Sequence, residues 1–525
     1  MDALFLGFDC GTQSLKTTII DYQNKKIIYE DSVHYDSDLP HYQTKHGVLH
    51  DGLSKTTPSL LFAEALDMAF ERMIRKGLDL TLISAVSGSA QQHGSVYLNE
   101  RGKSAFKNLN PNKSLKENFE NGFSKDLSPI WMDASTSQEC LEIEKAVGGS
   151  LFALKETGSS LFERFTGPQI RKFFKEEPAS YKNTGLISLI SGFMSSILSG
   201  SISPIDTADG SGMNLMSIEK GAWSKPFLEA TADHLLEKLP PLSPSWRIIG
   251  EVSPYFTIKY GLNPKALAII WSGDNPDSLL GLGIAESNVS AISLGTSFTY
   301  FGHMDTFRFD EKGEGHVFRS PDGHFMTLNC FKNGALAIEK MRSLYSLDLK
   351  SFENEVLKAK PGNDGKLLLP FFETEIVPKV LEAGVHRFHL NEEDVPGNCR
   401  ALLEAEMLSM KVHSAWMGKA PTLIYATGGA SKNKVLLQIM ADVFNASVIE
   451  RKVSNSACLG ACLRAAYAYF SLNAKLTFKS LLANFFENGQ EEKIVPKNPE
   501  AYHALIKHYA DLEESYLNDF ALKRR

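Results

Sequence analysis

Leu4-Phe5-Leu6-Gly7-Phe8-Asp9-Cys10-Gly11-Thr12-Gln13 runs from an apolar stretch straight into a tight Gly-Thr turn. Val289-Ser290-Ala291-Ile292-Ser293-Leu294-Gly295-Thr296-Ser297 does the same in the other half of the chain. A Gly-Thr turn after a strand exposes backbone N–H groups and a hydroxyl, which is the chemistry that holds phosphate oxygens. One such device in each half predicts two related halves serving one nucleotide.

Outward from the first turn, residues 4–8, 15–21 and 26–33 read as strands, with Asn24-Lys25-Lys26 as a polar turn. Three strands joined by short turns make an antiparallel meander, not the βαβ opening of a dinucleotide fold. An amphipathic helix follows over 56–76, with Leu61, Ala65, Met68, Ala69 and Met73 on one face and Gly77 as its stop. The strand 82–86 comes next. In the second half, 266–270, 289–294 and 422–425 read as strands, and 333–346, 400–418, 433–445 and 455–470 as helices. The pattern is mixed α/β with a sheet in each half, and the halves change over near 278–288.

A chain of 525 residues exceeds one ordinary core. Its 43% hydrophobic and 22% charged residues are those of a globular protein. A net charge of −7 argues against a general nucleic-acid or acidic-membrane binder, so an anionic ligand must be held by local groups. No apolar run reaches the length of a membrane span. The N-terminal apolar run has no basic start and carries Asp9, unlike a signal peptide. The six cysteines (10, 140, 330, 399, 458 and 462) show no Cys-x-x-Cys spacing and read as reduced thiols of a cytoplasmic protein. Cys458 and Cys462 lie four apart on a helix, where packing is the simpler reading than a metal.

No Walker-type loop and no Gly-x-Gly-x-x-Gly occurs. Beside a phosphate turn, the Asp9 carboxylate makes sense with Mg²⁺, since it would otherwise repel the anion. Lys16 reads either as a phosphate contact or as a solvated side chain. Ala426-Thr427-Gly428-Gly429-Ala430 joins a strand to the helix after Asn433, and its glycines let a flat ring or a phosphate approach the backbone. Ser272-Gly273-Asp274-Asn275-Pro276 follows a strand. A carboxylate there can take a proton from a hydroxyl that attacks phosphorus, though an Asx turn before proline would look the same. Gln91-Gln92-His93-Gly94 offers amides and an imidazole to a polyol or ketose. Trp131-Met132-Asp133 and Glu163-Arg164-Phe165 supply either an aromatic wall and a guanidinium fork or ordinary packing.

Together these stretches, with Asp209-Gly210-Ser211-Gly212-Met213-Asn214 and Thr427-Gly428-Gly429-Ala430-Ser431, resemble the FGGY carbohydrate kinases, in particular the eukaryotic branch of the ketose-specific members. The resemblance runs nearly end to end. It implies a two-domain actin/hexokinase-like (ribonuclease H-like) α/β fold with a mixed sheet in each domain and the active site in the cleft between them. Residues 1–280 would form the sugar-binding domain and 281–525 the nucleotide-binding domain.

It further implies ATP and Mg²⁺ as the groups used, with transfer of a phosphoryl group to the 5-hydroxyl of D-xylulose. Asp274 would be the base, and His93, Arg164, Asp274 and Asn275 would contact the sugar. Gly11, Thr12, Gln13, Gly295, Thr296 and Ser297 would hold phosphates, Gly428, Gly429 and Asn433 would border the adenosine, and Asp9 would help position Mg²⁺. The partners would be the ketose and ATP, with no nucleic acid or membrane, in a monomer or homodimer. Another ketose or polyol, such as L-ribulose, is the alternative substrate, and a non-catalytic actin-like nucleotide switch the alternative class. Two departures stand out: Ile170-Arg171-Lys172-Phe173-Phe174 lacks the family's tryptophan, and the C-terminal signature is only loosely matched around Ala401-Leu402-Leu403-Glu404-Ala405-Glu406.

Overall fold

A computed structural model describes residues 3–453, 455–487 and 491–522. The chain forms two compact units: Met1–Ala285 with Val317–Phe325 and Ser454–Asn488, and Glu286–His316 with Met326–Val453 and Gly489–Arg525. Among the described residues, no helix is long and apolar enough to cross a membrane.

The main sheet of the first unit is laid down by the meander. Leu4–Cys10 pairs antiparallel with Ser14–Asp21, and Ser14–Asp21 with Lys26–His34. On its other side Leu4–Cys10 pairs in parallel with Ile83–Ala90, which in turn pairs in parallel with Leu267–Ile269. The amphipathic helix spans Ser59–Arg75; Leu61, Ala65, Ala69 and Met73 are buried as expected, and Phe62, Leu66 and Phe70 join them. It starts three residues later than its periodicity suggests because Ser54–Pro58 is drawn into a small sheet with Leu127–Pro129.

On the opposite face lies the helix Ser456–Phe470. The Sγ atoms of Cys458 and Cys462 sit 3.2 Å from the Gly7 carbonyl oxygen and 3.3 Å from that of Thr18, so both thiols are packing groups. Gly7 is glycine for this reason: an added Cβ would lie 2.5 Å from the Cys458 carbonyl oxygen.

The second unit repeats the order. Phe325–Phe331, Phe298–Met304 and Val289–Leu294 are neighbours, and Val289–Leu294 pairs in parallel with Leu423–Thr427, which pairs in parallel with Ser447–Glu450. In both units the Gly-Thr turn joins the first strand to the second, at the same place in the same five-strand order.

The helix Asp274–Gly281 crosses Ser456–Phe470 at backbone contact. A Cβ on Gly460 would lie 1.9 Å from the Asp277 carbonyl oxygen, and one on Gly281 1.9 Å from that of Ser456. Gly460→Ala is therefore expected to lower stability by about 3 kcal/mol, because backbone cannot move aside as a side chain can. Gly250→Ala, where an added Cβ meets nothing within 4 Å, serves as the control in thermal melting.

Candidate functional site

In the first unit the site is made by strand register. Asp9 lies opposite Ser89, and Cys10 opposite Ala90. The short strand Ser272–Gly273 pairs with the same two residues, Ser89 and Ala90. Three chain segments thus emerge at one level: the 11–13 turn, the 91–93 loop and the helix that starts at Asp274. Ligands of open α/β sheets sit at this carboxyl edge.

One oxygen of Asp274 is fully engaged. Its Oδ1 accepts from the Asn275 N–H at 2.9 Å, from Asn275 Nδ2 at 3.2 Å and from the Gln92 N–H at 3.3 Å. Its Oδ2 takes no hydrogen bond from another described residue. Burial, reinforced by the negative charge of Asp9, pushes the carboxyl up to about 7. A carboxylate steered by one oxygen, open at the other and basic near neutrality is suited to accept a proton. Asn275 Nδ2 also donates to Gln92 Oε1 at 2.9 Å, which ties the 274–275 and 91–93 segments together.

His93 is held at φ 71° and stacks on Phe165 with ring centroids 4.3 Å apart. Its Nδ1 lies 2.7 Å from the Gly212 carbonyl oxygen, so the proton is on Nδ1 and Nε2 is left as an acceptor. Burial and then the Arg164 guanidinium drive its pKa down to about 3, so the ring is neutral. Arg164 lies over the Phe162 and Phe165 rings at 5.0 and 5.8 Å. Together with Trp131, Met132, Asp133 and Glu163 it lines a pocket of about 290 Å³.

Trp131 Nε1 donates to Thr12 Oγ1 at 2.8 Å, and Thr12 Oγ1 donates to Gln91 Oε1 at 3.1 Å. The pocket wall and the first turn are therefore connected. Asp133 is a loop organiser: it accepts from Ser54, the Lys55 N–H, Ser135 and Gln169.

Asp9 accepts from Ser89 Oγ at 2.8 Å and faces Lys16 Nζ at 3.4 Å. Its hard carboxylate oxygens, beside a second carboxylate whose basicity the Asp9 charge raises, fit a divalent cation such as Mg²⁺. The turn is braced from behind: the Gly11 carbonyl oxygen accepts from Tyr35 Oη at 3.2 Å and that of Gln13 from the Tyr35 N–H at 3.0 Å. Burial pushes the Cys10 thiol up to about 12, which leaves it an inert packing group.

In the second unit the two glycine turns touch. Gly428 has φ 91°, and a Cβ there would lie 2.7 Å from the Leu294 carbonyl oxygen, just before Gly295. Gly429 is exposed with nothing within 4 Å of a Cβ position. The Ala335 N–H donates to the Gly295 carbonyl oxygen and the Leu336 N–H to that of Thr296, anchoring the 295–297 turn on a helix start. Asn433 Oδ1 caps the helix Lys434–Phe444 by accepting from the Leu436 N–H at 2.9 Å.

Behind Asp274 lies a buried acidic group, Asp206, Asp209 and Asp277 with Arg464, of which only Asp209 stands in a stretch that carries the family resemblance. Arg464 had a signal, since it is the one charged residue in the apolar stretch Ser456–Phe470.

Residues 125–281 match the model for the N-terminal domain of the FGGY family of carbohydrate kinases, and residues 335–469 match that for its C-terminal domain. The chain is 42% identical over 514 residues to "Xylulose kinase 2" of Arabidopsis thaliana, covering 93% of this chain and 91% of that protein. It is 39% identical over 526 residues to "Xylulose kinase" of Rattus norvegicus, covering 98% and 97%. A crystal structure described as a xyloylose kinase from Brucella ovis superposes with a TM-score of 0.81 at 18% identity, covering 98% of this chain and 99% of that one. That likeness shows the fold, the two-domain actin/hexokinase-like architecture expected from the sequence.

Between pH 6.5 and 3 the unfolded chain protonates His93 and the folded one does not, so stability falls with acidity through this window. His93→Gln removes the difference. From pH 7 to pH 5 the variant is expected to lose about 2 kcal/mol less than wild type, read by denaturation at the two pH values.

Proposed function

Because the chain belongs to the FGGY family of carbohydrate kinases, we propose that it transfers the γ-phosphoryl group of ATP to the 5-hydroxyl of D-xylulose, giving D-xylulose 5-phosphate and ADP. The observation that carries this reading is the open, basic oxygen of Asp274 at the sheet edge that also presents the neutral His93 ring and the amides of Gln92 and Asn275.

Asp274 Oδ2 takes the proton of the 5-hydroxyl as its oxygen bonds to the γ-phosphorus, and the bond from that phosphorus to the β,γ-bridging oxygen breaks. Neutral His93 accepts from a sugar hydroxyl through Nε2 and Asn275 donates to another, while Arg164 borders the pentulose. The Trp131 and Met132 walls, the neutral imidazole and the amides suit a polyhydroxylated substrate, with Arg164 as the charged group at its border. Gly11, Thr12 and Gln13 serve the γ-phosphate. Gly295, Thr296 and Ser297 hold the remaining phosphates, and Gly428, Gly429 and Asn433 border the adenosine. Asp9 would hold Mg²⁺, which would supply positive charge to the phosphates. The sugar role belongs to residues 1–280, joined in the first unit by 317–325 and 454–488, and the nucleotide role to the rest of 281–525. Six unbridged cysteines suit work in the cytoplasm.

The test is ADP release from MgATP across a panel of ketoses and polyols. D-xylulose is expected to give the highest kcat/KM; a higher value for L-ribulose or a polyol overturns the substrate. Asp274→Asn is expected to lower kcat by about 10²–10⁴ while sugar affinity stays within a few-fold. More than half of wild-type turnover in that variant removes Asp274 as the base.

A further inference from the structure

Arg464 has no exposed surface, and each of its five N–H donors is used. Nε and Nη2 grip Asp277 Oδ1 and Oδ2 at 2.8 and 2.9 Å. The remaining donors go to the carbonyl oxygens of Ser245, Ile270 and Gly88. These acceptors are not scattered. Gly88 lies three residues before Gln91, on the strand that ends in the 91–93 loop. Ile270 precedes the Ser272–Gly273 strand that delivers Asp274. Asp277 lies one helical turn beyond Asp274 on the helix Asp274–Gly281.

One planar fork thus ties together the strand bearing the sugar loop, the strand bearing the base and the helix that the base opens. A buried ion pair is a poor source of stability, since apolar residues of similar volume often do as well. What the fork supplies here is fixed geometry at the junction beneath the base. Ser87 Oγ donates to the Ile270 carbonyl oxygen at 3.1 Å, and Ser272 Oγ donates to Asp206, so the junction is hydrogen-bonded on the far side as well.

We propose that Arg464, through its bidentate pair with Asp277, is a positioning residue for Asp274. It holds the first turn of the helix Asp274–Gly281 at the angle that aims Oδ2. This rests on Asp274 being the base.

The test replaces the pair by apolar residues, Arg464→Met with Asp277→Leu, so that neither charge is left buried alone. The double variant is expected to fold, to bind D-xylulose within threefold of wild type by calorimetry, and to lose about 30-fold or more in kcat, as a misplaced base would. Arg464→Lys, which keeps the charge but not the fork, is expected to fold and to lose about tenfold in kcat at unchanged sugar affinity. In the Asp274→Asn background the apolar pair is expected to change kcat by less than threefold, because a residue that acts through the base has nothing left to act on. Wild-type kcat in the apolar double variant or in Arg464→Lys overturns the proposal. So does a full, multiplicative loss in the Asp274→Asn background. If Asp274→Asn alone retains its turnover, the base assignment has failed, and that result is distinct from a failure of Arg464.

Discussion

The parallel pairing of Leu4–Cys10 with Ile83–Ala90, extended by Ser272–Gly273 on the same two residues, is the constraint on which the site depends. Parallel strands with a shared register end at one level, and whatever follows them meets there. Asp9, Gln92, His93 and Asp274 come from three distant parts of the chain, and none of them would be near the others without that register. A slip of one residue would turn Asp9 to the other face of the sheet and separate it from Ser89.

Burial raises the carboxyls of Asp274 and Asp277 alike, to about 7, and their partners then set them apart. Asp274 keeps one oxygen open, while both oxygens of Asp277 are taken by the Arg464 fork, which pulls against the rise. The imidazole of His93, walled by Phe165 and faced by Arg164, is neutral and presents an acceptor instead of a charge. Cys10, the last residue of the first strand, is made unreactive by the same desolvation.

Much of this was legible in the chain. The meander, the two Gly-Thr turns and the positions of Gln92, His93 and Asp274 just past strand ends follow from β-branched runs punctuated by glycine, because turn chemistry is local, whereas the helix that opens at Asp274 does not. The thiols of Cys458 and Cys462 also read correctly as packing. Less legible were residues whose role depends on a partner far along the chain. Trp131 is linked to the first turn through a hydroxyl 119 positions away, and Arg464 to Gly88 across 376 positions. Periodicity carries no information on such pairs. A lone arginine in an apolar helix signals that a buried acid exists but not where it lies.

The sequence by itself determined the two sheets, the placing of a Gly-Thr turn at the end of the first strand of each, and the residue types that follow the strand ends. Those features are set by local backbone preference and by the spacing of apolar residues. Only the tertiary structure decided that residues 454–488 return to the first unit. It alone decided that a helix from this segment crosses Asp274–Gly281 at backbone contact through Gly460 and Gly281, and that one guanidinium fastens the strand ends beneath Asp274. The physical reason is that close packing and the matching of buried charge are satisfied between surfaces, and those surfaces exist only once the chain has folded.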